Sequence, residues 1–159
     1  MRTKSVVVDD FVNYKKPSMF ISTCFCNWKC CIGQNLDISV CQNSSLAKSP
    51  VREFTNKELI DIYKQSIFHK AVVFGGLEPF EQFAEVYSFV VEFRDFSEDD
   101  IVIYTGFNKD EIEPCIEKLR QFKNIIIKYG RYIPNDKSHI DNVLGIKLAS
   151  QNQYAEKIS

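Results

Sequence analysis

The sequence predicts an α/β fold: a parallel sheet covered by helices. Three observations predict it. Short apolar runs have the length of buried strands, helix-capping signals stand between them, and the pattern recurs about every 25–30 residues, close to the length of a βαβ unit. A chain of 159 residues is long enough to bury a core within one domain.

The elements follow in order. Ser18–Ser22 is an apolar run that reads as the first core strand, and a cysteine-dense loop follows it. Thr55 and Glu58 form a capping box, after which Leu59, Ile60, Ile62, Tyr63 and Ile67 recur at helical spacing. Ala71–Phe74 reads as a buried strand ending at Gly75-Gly76. Pro79 suits a first helical turn, and Phe80, Phe83, Ala84, Tyr87, Val90 and Val91 make an apolar face. Ile101–Tyr104 is the next buried run, closed by Thr105-Gly106. Asn108 and Glu111 then cap a helix carrying Ile112, Cys115, Ile116 and Leu119, and Ile125–Ile127 is the last apolar run. Glu98, Asp99 and Asp100 read as a solvated connection, and Cys115 as a core residue.

Five of the six cysteines, Cys24, Cys26, Cys30, Cys31 and Cys41, fall in the loop at 24–43. Thiolates gathered behind a rigid strand suit a soft metal centre, above all an iron–sulfur cluster. Zinc also takes four cysteines, but no Cys-x2-Cys doublet occurs here, and ordinary redox-active or buried thiols remain a third reading. A disulfide framework does not fit, because the rest of the chain holds a single cysteine and MRTKSVVVDDF has no apolar leader core. His69 and His139 stand alone and read as ordinary surface or core residues.

Charge and hydropathy exclude some functions. With 20 basic and 21 acidic side chains, a net charge of −1 offers no general attraction for nucleic acid. No apolar stretch approaches the ~20 residues that span a bilayer. The expected location is the cytoplasm, where exposed thiols stay reduced. Ligands of parallel α/β folds bind beyond the carboxyl ends of the strands. The cysteine loop, Gly75-Gly76-Leu77-Glu78-Pro79 and Tyr104-Thr105-Gly106 all follow strands and converge on that rim.

These motifs, in this order, resemble the radical S-adenosylmethionine family, and within it the small activating proteins of anaerobic ribonucleotide reductases. Cys26-x3-Cys30 matches the start of that family's cysteine loop, Gly75-Gly76-Leu77-Glu78-Pro79 its Gly-Gly-acid-Pro motif, and Tyr104-Thr105-Gly106 its next strand end. Leu144–Gln153 resembles its closing Ser-x-Asn-Gln segment. Three departures stand out. Gly33 occupies the place of the third cysteine, Leu77 is inserted before Glu78, and Tyr129 replaces an acid before Gly130. Val40-Cys41-Gln42-Asn43 resembles the end of the family loop, which makes Cys41 the third ligand, with Cys31 and Cys24 as substitutes.

The resemblance implies a single domain over residues 1–159, folded as a partial, open parallel (β/α) barrel. It implies a 4Fe–4S cluster on Cys26, Cys30 and Cys41, with S-adenosylmethionine chelating the remaining iron. Gly75 and Gly76 would pass close to the methionine moiety, Glu78 would assist its ammonium group, Trp28 would pack over the cluster or adenine, and Thr105 would contact the adenosine. The implied activity is reductive cleavage of S-adenosylmethionine to a 5′-deoxyadenosyl radical. That radical would install a glycyl radical on a partner, the large subunit of an anaerobic ribonucleotide reductase. A donor such as flavodoxin or ferredoxin would supply the electron. The alternatives are a radical enzyme acting on a small molecule or peptide, similar to the carboxy-deazaguanine synthases, and a non-catalytic protein that binds zinc or a cluster.

Overall fold

The computed structural model describes residues 1–159. The chain opens with β1 (Arg2–Thr3), β2 (Ser5–Asp10) and β3 (Ser18–Thr23). The cysteine segment carries two single-turn helices, α1 (Lys29–Ile32) and α2 (Ser44–Ala47), separated by a 3-10 turn at Ile38–Val40. Then come β4 (Arg52–Glu53), α3 (Asn56–Tyr63), β5 (Ala71–Gly76), α4 (Phe83–Arg94), β6 (Asp100–Tyr104), α5 (Glu113–Leu119) and β7 (Ile125–Tyr129). Three short strands finish the chain: β8 (His139–Asp141), β9 (Ile146–Leu148) and β10 (Tyr154–Lys157).

Six strands form one sheet in the order β10-β7-β6-β5-β3-β2. The inner strands β3, β5, β6 and β7 are parallel, and β2 and β10 flank them antiparallel. The two edge strands do not pair with each other, so the sheet is open. Consecutive parallel strands are neighbours, so every crossover steps the same way. Right-handed crossovers then put α3, α4 and α5 on one face. Met19, Ile21, Val72, Phe74, Ile101, Ile103, Ile125 and Ile127 meet those helices in the main core. Their strand neighbours Ala71, Val73, Val102 and Ile126 point the other way, against Tyr14, Leu144 and Leu148.

The capping signals at Thr55/Glu58 and Asn108/Glu111 form as the sequence predicts. Three details differ. Helix α3 ends at Tyr63, so Ile67 lies beyond it and is 83% exposed. The buried stripe of α4 is Val86, Phe89, Val90 and Phe93, with Phe83 and Tyr87 at its margin and Val91 exposed. A 3-10 turn at Pro79–Gln82 precedes this helix and shifts its phase. Asp100 is not solvated: it opens β6 and accepts from the Tyr14 hydroxyl at 2.8 Å and Lys16 Nζ at 2.5 Å. No helix is long and apolar enough to cross a membrane.

Candidate metal centre

A cavity of about 360 Å³ opens at the carboxyl ends of the parallel strands, on the face away from the helices. That volume is in the range of small-molecule sites. Its wall includes Cys26, Cys30 and Cys41 together with Trp28, Gly75, Gly76, Glu78 and Thr105, so every site residue expected from the sequence meets in one place.

The cysteine loop is built from local turns. Trp28 takes a left-handed conformation (φ 60°) and starts α1, which carries Cys30. The Trp28 amide donates to Cys26 Sγ at 3.3 Å, and the Asn43 amide donates to Cys41 Sγ at 3.4 Å. Burial pushes the Cys26 thiol up to about 11, and the Trp28 amide opposes that rise. Cys30 is raised by burial as well, with the Tyr132 amide acting against it. Amide donors of this kind favour thiolate over thiol and tune a cluster bound to it.

The remaining cysteines separate cleanly. Cys31 is buried yet reaches the cavity wall. Cys24 does not line the cavity; its thiol neighbours Lys4, Glu85 and Arg2 instead. Cys115 lies half-exposed on α5 rather than in the core, because Ile112, Ile116 and Leu119 take the buried side of that turn. Neither histidine lines the cavity. His69 is buried between Tyr63 O (2.8 Å) and Asp9 Oδ1 (3.1 Å), and His139 belongs to β8.

The glycine motif fits tightly against β3. A Cβ on Gly75 would stand 2.7 Å from the Phe20 ring; Gly76 has φ +82°, and a Cβ there would stand 2.7 Å from Ser22 Cβ. Both positions are therefore fixed by the neighbouring strand as well as open to the cavity. The Asn43 side chain donates to Gly76 O, which ties the end of the cysteine loop to this turn. The Glu78 amide donates to Phe25 O at 2.8 Å and ties in its beginning.

Glu78 is only 5% exposed, and its carboxylate accepts from Thr105 Oγ1 (2.8 Å), the Gly106 amide (2.8 Å) and the Phe80 amide (3.1 Å). Burial pushes its pKa up to about 7 against those hydrogen bonds. The first partner of Thr105 is thus Glu78, and the two strand-end motifs are stitched together by a side chain from each. Gly106 completes the wall: a Cβ there would lie 2.7 Å from Cys30 Sγ.

Two cavity residues were not among the expected site residues, although Gln153 stands in the closing motif. Lys128 is 7% exposed, donates to Gly130 O at 3.1 Å, and has its pKa lowered to about 8 by burial, against the pull of Cys30 and Glu78. It occupies the strand position before Tyr129, whose own side chain is buried in the helix-side core. Gln153 also lines the cavity and accepts from the Ala149 and Ser150 amides at 3.1 and 3.2 Å. With Ser150 bonded to Ile133 and Asn152 to Arg131 O, the closing Ser-x-Asn-Gln segment holds the stretch after β7 over the cavity. A lysine within an apolar strand run was the available signal for the first.

No three His, Cys, Asp or Glu side chains converge closely enough to share one metal ion. A four-iron cluster takes its thiolates on separate irons, so it needs sulfurs spread around a void rather than drawn to a point. Cys26, Cys30 and Cys41, arrayed around one cavity with amide donors in place, fit that requirement.

The chain belongs to the 4Fe-4S single cluster domain family, whose model matches residues 15–154. It is an iron–sulfur protein of that class. No curated protein and no solved structure matches it.

Proposed function

We propose that this chain is a radical S-adenosylmethionine activase, with its cluster on Cys26, Cys30 and Cys41. The carrying observation is that these three cysteines share a cavity with Gly75, Gly76, Glu78 and Thr105. Held by these cysteines, a reduced cluster with one iron free of protein would supply the electron for reductive cleavage of S-adenosylmethionine to methionine and a 5′-deoxyadenosyl radical.

The protein's own part is binding and exclusion. Glu78 and Lys128 place a buried carboxylate and a buried ammonium in one cavity, which complements the ammonium and carboxylate of a zwitterionic amino-acid moiety. Gly75 and Gly76 expose backbone beside them, and Trp28 offers an aromatic surface at the mouth of the loop. A partial (β/α) barrel remains the proposed architecture, with the open six-stranded sheet as its strands. The parallel sheet is open at its edges, and a protein partner, the glycyl radical subunit of an anaerobic ribonucleotide reductase, is the proposed substrate. A flavodoxin or ferredoxin is the proposed electron donor.

The experiment is anaerobic reconstitution with iron and sulfide, reduction, and addition of S-adenosylmethionine. Release of 5′-deoxyadenosine is the expected result. An intact cluster without cleavage would point to a binding role on the same scaffold.

A further inference from the structure

The stretch that leaves β7, residues 130–133, belongs to no helix or strand. Side chains hold it instead, one backbone carbonyl after another. Gly130 O accepts from Lys128 Nζ at 3.1 Å and from Gln153 Nε2 at 3.3 Å. Arg131 O accepts from Asn152 Nδ2 at 2.9 Å, and Ile133 O from Ser150 Oγ at 3.2 Å. Between them, Tyr132 O accepts from Gln34 Nε2 at 3.0 Å. The other donors belong to β7 or to the closing segment. Gln34 comes from the cysteine loop, 98 residues away in sequence.

The same nitrogen donates to Cys30 O at 2.7 Å. A carboxamide carries two N–H hydrogens, so both bonds form together, one hydrogen to each carbonyl. Cys30 O depends on this partner. Helix α1 is a single turn, and the amides of Gly33, Gln34 and Leu36 that follow it bond Lys29 O and Cys31 O, passing Cys30 O by. A second tie between the two segments is indirect. Lys29 and Arg131 reach the same Glu111 Oε1 at 3.8 and 2.6 Å, and such partly exposed ion pairs add little.

We propose that Gln34 is a positioning residue for the cluster site: by bridging Cys30 O and Tyr132 O it clasps residues 130–133 to the cysteine loop and fixes the backbone beside Cys30. Pinning Tyr132 by its carbonyl keeps in place the Tyr132 amide that opposes the burial-driven rise of the Cys30 thiol. An N–H aimed at a ligating sulfur stabilises the extra electron of a reduced cluster, so losing it makes the potential more negative. The effect on the potential rests on the cluster reading above; the clasp itself does not.

The test starts with the iron-free full-length protein and amide hydrogen exchange. The reporter is the Ile133 amide, which donates to Ser150 Oγ at 2.9 Å. In Gln34→Ala it should exchange about fivefold faster or more, while the amides of α3, α4 and α5 keep their wild-type rates. Gln34→Glu keeps the side-chain shape but sets a carboxylate against two carbonyls, so it should match Gln34→Ala. Gln34→Lys restores a donor and should return exchange toward wild type. Wild-type exchange at Ile133 in both Gln34→Ala and Gln34→Glu would overturn the clasp, whether or not the chain binds iron. The second readout uses reconstituted protein. Gln34→Ala should hold as much iron as wild type, with a more negative midpoint potential. An unchanged potential would overturn the positioning role even if the clasp stands. Failure of wild type to load iron would count against the cluster reading, and the exchange result would still decide the clasp.

Discussion

The two faces of the parallel sheet are made from the same strands and obey different rules. On the helix side, alternate residues from Met19 to Ile127 are uniformly apolar and pack against three helices, and only the unpartnered Tyr129 hydroxyl breaks that uniformity. On the other side the apolar cluster is small, and toward the strand ends it gives way to thiols, glycines, Glu78 and Lys128 around a void. The first face supplies stability. The second spends some of it, because a buried carboxylate and ammonium and an unfilled cavity all destabilise the ligand-free chain.

The contrast can be broken by substitutions on either side. Phe89→Ala in α4 removes a fully buried ring packed on Phe74 and Phe93, and should cost about 3–5 kcal/mol in urea unfolding. A loss below about 1 kcal/mol would mean the helix face does not dominate stability. Gly106→Val should do the reverse. Its side chain collides with Cys30 Sγ, so iron bound per chain should fall severalfold while the unfolding midpoint moves little. Unchanged iron content would remove Cys30 from the ligand set.

The buried charges sharpen the comparison through pH. Folding moves Glu78 from 4.5 up to about 7, so between those values the folded chain holds a proton that the unfolded chain has lost. Stability of the cluster-free protein therefore falls as pH rises through that window. Lys128 moves from 10.5 down to about 8, so there the unfolded chain holds the extra proton and stability climbs with rising pH. Denaturation across pH should show a minimum between about 7 and 8, and Glu78→Gln should flatten the acid-side slope. A profile indifferent to that substitution would mean Glu78 is not kept from water. The smallest effect belongs to Thr55→Ala, which removes the α3 cap and should cost about 1 kcal/mol without touching iron content.

The helix side was largely legible because it is periodic. Continuous apolar strands and capping boxes are local signals, and they located β3, β5, β6, β7 and the helices between them. The errors fell where tertiary contacts decide: the end of α3, the phase of α4 after its 3-10 turn, and Asp100 drawn inward by Tyr14 and Lys16. The flanking strands β2 and β10 went unread, since edge strands of mixed polarity carry weak patterns. In the cavity, the residues at strand ends could be named beforehand, because parallel α/β topology fixes where they go. The Glu78–Thr105 bond, the buried Lys128 and the separation of Cys24 from the other thiols depend on loop conformation, which leaves no periodic trace.

The central proposal is that Cys26, Cys30 and Cys41 would hold the cluster in the cavity that Glu78 and Lys128 also line. Electron paramagnetic resonance of the reconstituted, reduced protein, recorded before and after adding S-adenosylmethionine, tests it most directly. The account predicts a reduced-cluster signal from about four irons per chain that changes on addition, and its loss in Cys41→Ala but not in Cys24→Ala. A signal that ignores S-adenosylmethionine, or that survives in Cys41→Ala, would contradict it.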